Sequence, residues 1–496
     1  MTARPAGRHD VIVVGSGSGG GIVASRLSED PKVRVLLIEA GPDPGNDVPD
    51  AVRYVRLGSG VDEYDWNYLD RQTRNALPRG RILGGSSSVN SSFALRGQPQ
   101  DYDAWAAGGA PSWAWAQCLP YFNRLETDRE FGELPYHGSS GPIHIEREPL
   151  NEFQQLVRSA CLELGHADAD DLNRPGAVGI GPLPRNLKDR QRQSTLLTYI
   201  AAARSRSNLT IQADTLVDTI VIRAGRAVGV RLAGGEVIEA GRVVLAAGAY
   251  NSPQILQRSG VGPRDLLRRI GVDPVLDLPG VGENLLDHVL SLIAVDAEQR
   301  VPSGFIPIGP TLKLRTTPDL AVDDVKFTFV FGELFAMPGL NGFVVEVSNC
   351  ESQGVVQATS SDPRAEPHID HRYFSNPRDL QRLIAGGKVA IEVASVLSDT
   401  IKCELLLPDP ATAHDEEALR AHFLGFHATD YHPSGTLRMG SDDDEMAVVD
   451  DRCRLRGIEN LYVADASVMP TVPRANINLP TMMIGERVAE FVRADL

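Results

Sequence analysis

The chain has 496 residues, 42% apolar and 23% charged, with a formal net charge of −16. That length supports two domains and a core that needs no disulfide or metal. The acidic balance argues against nucleic acid or an anionic membrane as the main partner.

The first ten residues, MTARPAGRHD, lead straight into an apolar run, and no apolar stretch reaches about 18 residues. The expectation is a soluble, cytoplasmic protein with no integral membrane segment. Five widely spaced cysteines (Cys118, Cys161, Cys350, Cys403 and Cys453) form no CxxC pair. Buried free thiols in a reducing compartment fit this spacing better than a zinc ribbon or a redox dithiol.

The most informative stretch of the first half is DVIVVGSGSGGGIVASRLSED. Val11 to Val14 suit a buried parallel strand. Gly15, Gly17 and Gly20 give G-x-G-x-x-G, and Ile22, Val23, Ala24 and Leu27 continue with helical spacing. A second strand, VRVLLIEAG, ends in Glu39, about 19 residues past Gly20. Gly15 permits the tight turn, Gly17 lets a pyrophosphate approach the backbone, and Gly20 lets the helix pack close to the strand. The helix N-terminus offers free N–H groups to phosphate. Glu39 stands where a carboxylate accepts bonds from ribose hydroxyls, which fits NAD or FAD and disfavours NADP.

Pro78 to Gly97, PRGRILGGSSSVNSSFALRG, packs small residues after a basic segment, as suits close approach to a planar cofactor and its phosphates. Gly241 to Pro263 reads as a strand, a small-residue turn and a helix. VDDVKFTFVFGELF, GFVVEVSNCESQGVVQATS and EPHIDHRYF are β-rich with partial alternation, and a helix starts near Asn376–Pro377. SGFIPIGPTLKLRTTPD and GELFAMPGLNGF, with Glu333, read as lid, pocket or plain connecting loops. Near the C-terminus a strand over Leu461–Val463 ends at an Asp, and a helix follows from about Pro480. No second fingerprint in strand–helix context is present, so a separate NAD(P)H domain is not expected.

YHPSGTLRMG, Tyr431 to Gly440, holds a loop histidine. By residue type alone His432 is a solvated loop residue, a metal ligand or a base. His422, His427 and His432 are five residues apart, which gives no shared helix face, so no metal is expected.

Taken in chain order, YDWNY, RILGGSSSVN, GAYNSPQILQRSGVG, LPGVGENLLDH, HPSGTLRMG and NINLPTMMIGER resemble blocks of the glucose–methanol–choline (GMC) flavoprotein oxidoreductases, over nearly the whole chain. The resemblance implies FAD and an α/β (α+β overall) fold: a Rossmann-like FAD-binding domain with a second, substrate-binding domain on an antiparallel sheet flanked by helices. It implies that Gly15, Ser16, Gly17 and Gly20 hold the pyrophosphate, Glu39 the adenosine ribose, and Trp66 and the Val217 backbone the adenine end. Gly84, Gly85, Ser86 and Asn90 would line pyrophosphate and flavin, and Ala247 and Gly248 the second turn. Asp465 and Ala466 would meet the ribityl and phosphate region, and Asn478, Pro480 and Thr481 the flavin pyrimidine ring. Val89 stands where some members carry a flavin-tethering histidine, so the FAD is expected to be non-covalent.

The resemblance also implies that His432 faces flavin N5 with Asn476 as its partner. A neutral imidazole takes the hydroxyl proton of an alcohol while FAD takes the hydride, and Asn476 donates to the developing alkoxide. The expected donor is an alcohol, polyol, sugar or amino alcohol, and the acceptor is oxygen, a quinone or a redox carrier. A hydroxynitrile lyase of the same fold is the alternative. The expected domains are 1–145, 205–285 and 430–496 for FAD, and 146–204 and 286–429 for substrate.

Overall fold

The computed structural model describes residues 9–55, 62–297, 308–331 and 341–496. The opening strand is β1 (His9–Val14), followed by α1 (Gly20–Leu27) and β2 (Val35–Ile38). β1 and β2 pair in parallel and end level, Val14 opposite Ile38. Their Val, Ile and Leu side chains are buried on both faces, as a central parallel sheet requires.

β3 (Leu209–Gln212) joins β2 in parallel. β4 (Val217–Arg223), β5 (Arg226–Leu232) and β6 (Val237–Leu245) then run as an antiparallel meander. The start of β6 pairs with β5, and Ala240–Leu245 runs parallel to β1. The order is β3-β2-β1-β6-β5-β4. α2 (Gly248–Arg258) leaves the end of β6.

The second sheet comprises β7 (Val289–Ala297), β8 (Thr311–Leu314), β9 (Val325–Val330), β10 (Asn341–Val347) and β11 (Cys403–Leu407). Its order is β11-β7-β10-β9-β8, extended by Gly179–Gly181, and every pairing is antiparallel. Alternation gives it two faces. Phe327, Phe329, Phe343 and Val345 point into a core shared with α3 (Pro377–Ser398). Asn376 caps that helix by accepting from the Arg378 N–H at 3.0 Å, with Pro377 at the first helical position. Leu290, Lys326, Thr328, Val330, Val344 and Glu346 face the other way, onto a cavity.

The chain returns to the first sheet with β12 (Leu461–Val463), which lies parallel to β6, Leu245 opposite Val463. α4 (Asn478–Ala494) then packs across α1. The strands of the first sheet come from the segments expected to bind FAD, and those of the second from the segments expected to bind substrate. Leu196–Ala203 departs from the expected boundary at 204: Leu196, Tyr199, Ile200 and Ala203 are buried in the first core against α1. An apolar segment between two polar turns gives no sign of which sheet it covers. Glu333, GELFAMPGL and the start of SGFIPIGP lie outside the described residues.

Candidate active site

A cavity of about 580 Å³ crosses the C-terminal ends of the parallel strands and reaches the second sheet. Ligands bind at such strand ends because the chain turns away there and leaves a crevice. β1 ends at Val14 and turns through Gly15, whose φ is +93°. β6 ends at Leu245 and turns through Ala247 and Gly248. β12 ends at Val463, with Asp465 two residues on.

Gly15, Gly17, Glu39, Trp66, Gly85, Ser86, Asn90, Val217, Ala247, Gly248, Asp465, Ala466, Asn478, Thr481, His432 and Asn476 all line this cavity, as does Val89. Ser16, Gly20, Gly84 and Pro480 do not; they shape the wall from behind. The Ser16 hydroxyl donates to Glu39 Oε2 at 2.6 Å and accepts from the Gly84 N–H at 2.8 Å, joining the first turn to the RILGG segment. Gly20 packs on the Gly15 carbonyl, and a Cβ there would lie 2.0 Å from that oxygen. Pro480 is buried in the first turn of α4.

The residues present fit a dinucleotide. A Cβ at Gly17 would meet no protein atom within 4 Å, so this wall is recessed where a phosphate group needs room. Glu39 accepts from the Ser16 and Gly41 N–H groups, each at 3.0 Å. Asp465 accepts from Gly248 N–H at 2.9 Å and Ser252 Oγ at 2.6 Å, so the second and third turns are bound together. Burial raises both carboxyls above their ordinary values. Asn478 accepts from Ser18 at 2.7 Å through Oδ1, while its Nδ2 is buried without a partner, a donor left for a bound group.

His432 and Asn476 meet at the far end. Asn476 Nδ2 lies 3.1 Å from His432 Nε2, and both residues are less than a tenth exposed. The loop carrying His432 is held by Asp287, which accepts from the His432 N–H at 2.8 Å and from Tyr373 Oη at 2.7 Å. His432 Nδ1 faces His288 Nδ1 at 2.9 Å and Asp430 Oδ2 at 3.3 Å. Behind them Lys326 pairs with Glu346 at 2.7 Å and donates to Asn476 Oδ1 at 3.2 Å.

Burial, and then the neighbouring His288, hold the His432 imidazole well below its ordinary value, so the ring is neutral and able to accept a proton. Burial together with the adjoining Glu346 raises Asp430 well above the carboxylate range. Burial pushes Glu346 the same way, but Lys326 and His288 overcome it and hold Glu346 ionised. The two carboxyls thus share one proton.

His288, Glu346, Asp430 and His432 bring ligand-capable atoms within 4.8 Å of one another, a composition that would suit a cation. Lys326 already supplies the positive charge to Glu346. Two imidazole nitrogens on one zinc at about 2.0–2.1 Å and the tetrahedral angle stand roughly 3.3 Å apart; these two, at 2.9 Å, are a hydrogen-bonded pair. His422 and His427 bond instead to the carbonyls of Leu292 and Phe423, each at 3.2 Å.

No local sequence pattern marks roles for His288, Asp287, Lys326, Glu346 or Asp430. His288 closes the LPGVGENLLDH block. Lys326 and Glu346 were visible only as lone charges in strands otherwise rich in Phe and Val.

The crevice at the strand ends fits a dinucleotide at one end and holds a buried imidazole beside an amide at the other. Profiles of the GMC oxidoreductase family match residues 10–290 and 350–485. The chain belongs to that family, and is an FAD-dependent oxidoreductase acting on CH–OH donors. It is 36% identical to the oxygen-dependent choline dehydrogenase 1 of Chromohalobacter salexigens over 542 aligned residues, covering 98% of this chain and 95% of that one. Its fold superposes on pyridoxine 4-oxidase from Mesorbium loti with a TM-score of 0.87 at 28% identity, covering 98% and 99% of the two chains. An FAD-dependent oxidoreductase from Chaetomium thermophilum shares the fold with a TM-score of 0.89 at 24% identity, over 98% and 99%. Among the described residues no helix is long and apolar enough to cross a membrane.

Proposed function

We propose that this protein oxidises a small alcohol to its aldehyde or ketone with His432 as the general base. The observation that carries this reading is the His432–Asn476 pair, 3.1 Å apart at the end of the cavity that begins at the Gly15–Gly20 turn. When bound, FAD supplies the hydride acceptor at flavin N5. Gly15, Gly17, Glu39, Trp66, Gly85, Ser86, Asn90, Val217, Ala247, Gly248, Asp465, Ala466, Asn478 and Thr481 are the wall residues that would hold it. Ser16, Gly20, Gly84 and Pro480 would act by shaping that wall. Val89 offers no nucleophilic atom at the cavity, which supports a dissociable cofactor.

His432 Nε2 takes the hydroxyl proton as the carbinol C–H bond gives up its hydride, so the substrate loses one proton and one hydride and becomes a carbonyl. Asn476 Nδ2 donates to the substrate oxygen as alkoxide charge develops. An amide has no basic nitrogen, so the proton falls to the imidazole. Leu290, Val330 and Val344 give this wall an apolar stretch. A low-dielectric wall strengthens the amide contact to the developing charge. The relatives' names supply two candidate donors, choline and pyridoxine.

The test is anaerobic flavin bleaching by a panel holding choline, pyridoxine, simple primary alcohols, polyols and sugars. His432→Ala should keep bound FAD but slow bleaching by about 10²–10⁴, the range of a general base. Asn476→Ala should lose rate with a smaller change in pH profile. Bleaching of His432→Ala at the wild-type rate would remove the base assignment. An unbleached wild type that nevertheless cleaves a cyanohydrin would establish the lyase instead.

A further inference from the structure

Lys326 has no role in the chemistry proposed above, yet it is 3% exposed and touches the reacting pair. Its ammonium carries hydrogen-bond donors only, whereas a carboxamide has an acceptor end and a donor end. Facing Lys326 at 3.2 Å, Asn476 presents its oxygen. Its NH₂ is thereby turned to His432 Nε2 at 3.1 Å. A donor against a ring nitrogen requires that nitrogen to be bare. The ring proton therefore sits on Nδ1, where His288 Nδ1 and Asp430 Oδ2 lie at 2.9 and 3.3 Å to receive it. The reversed amide would set an NH₂ against an ammonium in a buried site.

Taking His432 as the base, we propose that Lys326 is a positioning residue of the oxidation: it fixes the orientation of the Asn476 amide and so selects the His432 tautomer whose Nε2 lone pair accepts the substrate proton. Glu346, opposite Lys326 in the β9–β10 register, holds the ammonium in place. The ammonium's charge also disfavours a proton on His432.

The holoenzyme tests this in two ways. In ¹⁵N-histidine-labelled protein, with His432→Ala to assign the signals, wild type should give His432 a bare Nε2 and a protonated Nδ1. Lys326→Met should lose that single tautomer. In anaerobic stopped-flow with saturating alcohol, Lys326→Met should lower flavin reduction about 10- to 100-fold, with the substrate dissociation constant changed far less. The acid limb of its rate profile should move to higher pH, because a positive charge beside the base is gone. Lys326→Arg should recover much of the rate.

In an Asn476→Ala background Lys326→Met should cost nothing further on the pH-independent plateau, since there it acts through that amide. If Lys326→Met does not fold because Glu346 is left unpaired, Lys326→Met/Glu346→Gln serves, with the same expected losses. A wild-type tautomer and rate in these variants would overturn the proposal, as would losses that multiply with that of Asn476→Ala. Should His432→Ala leave flavin reduction intact, the base assignment falls while the histidine signals still decide what Lys326 does.

Discussion

At the residue scale the proposed chemistry depends on one imidazole kept neutral. Burial, and then His288, press His432 well below its ordinary value of 6.5, against the opposing pull of Glu346. A base works when unprotonated, so the rate rises with pH through the pKa and then stays flat. The rate constant for flavin reduction should therefore be constant around neutrality and fall only in acid below 6.5. Stopped-flow reduction at saturating alcohol across pH checks this; an acid limb above 6.5 would contradict it. His432 and Asn476 were legible because each sits in a block whose neighbours are distinctive. Lys326 and Glu346 were not, because polar residues alternating with Phe and Val normally mark a solvent face. Here that face looks onto a cavity, and only the pairing of β9, β10 and β7 shows it.

At the element scale, the β1–α1 turn separates two kinds of glycine. A Cβ at Gly20 would lie 2.0 Å from the Gly15 carbonyl oxygen and 2.8 Å from Ala246 Cβ, so Gly20→Ala must push α1 off the strand. A Cβ at Gly17 meets nothing of the protein within 4 Å. Gly17→Ala should therefore leave the apoprotein melting temperature nearly unchanged while weakening FAD affinity about tenfold or more, and Gly20→Ala should lower both. Calorimetry of the apoproteins and FAD titration by flavin fluorescence separate the two; a Gly17→Ala protein with wild-type affinity would show that phosphate does not approach there. Strand, turn and helix were legible here because their signals lie within about 30 residues. The pairing of β12 with β6 joins residues some 200 apart, Val463 with Leu245, and no local pattern carries it. The placement of Leu196–Ala203 was illegible for the same reason, since its packing against α1 depends on a partner more than 160 residues away.

At the scale of the whole molecule, the cavity wall draws on both sheets and on segments from Val14 to Thr481. A ligand there binds the folded chain and has no counterpart in the unfolded one, so it stabilises the fold by mass action. The gain is about 2.7 kcal/mol at 100 times the dissociation constant and grows by about 1.4 kcal/mol for each further tenfold of free ligand. That dependence requires an exchangeable cofactor. Val89 at the cavity wall has no atom to bond flavin, so stripped protein should recover its flavin spectrum on adding FAD, and its melting temperature should climb steadily with free FAD above saturation. A tethered flavin behaves otherwise: its melting temperature is indifferent to added FAD, and yellow colour stays with the acid-precipitated chain. Differential scanning calorimetry over a hundredfold range of FAD distinguishes the two. A flat melting temperature with colour in the precipitate would mean that another side chain of the wall holds the cofactor covalently.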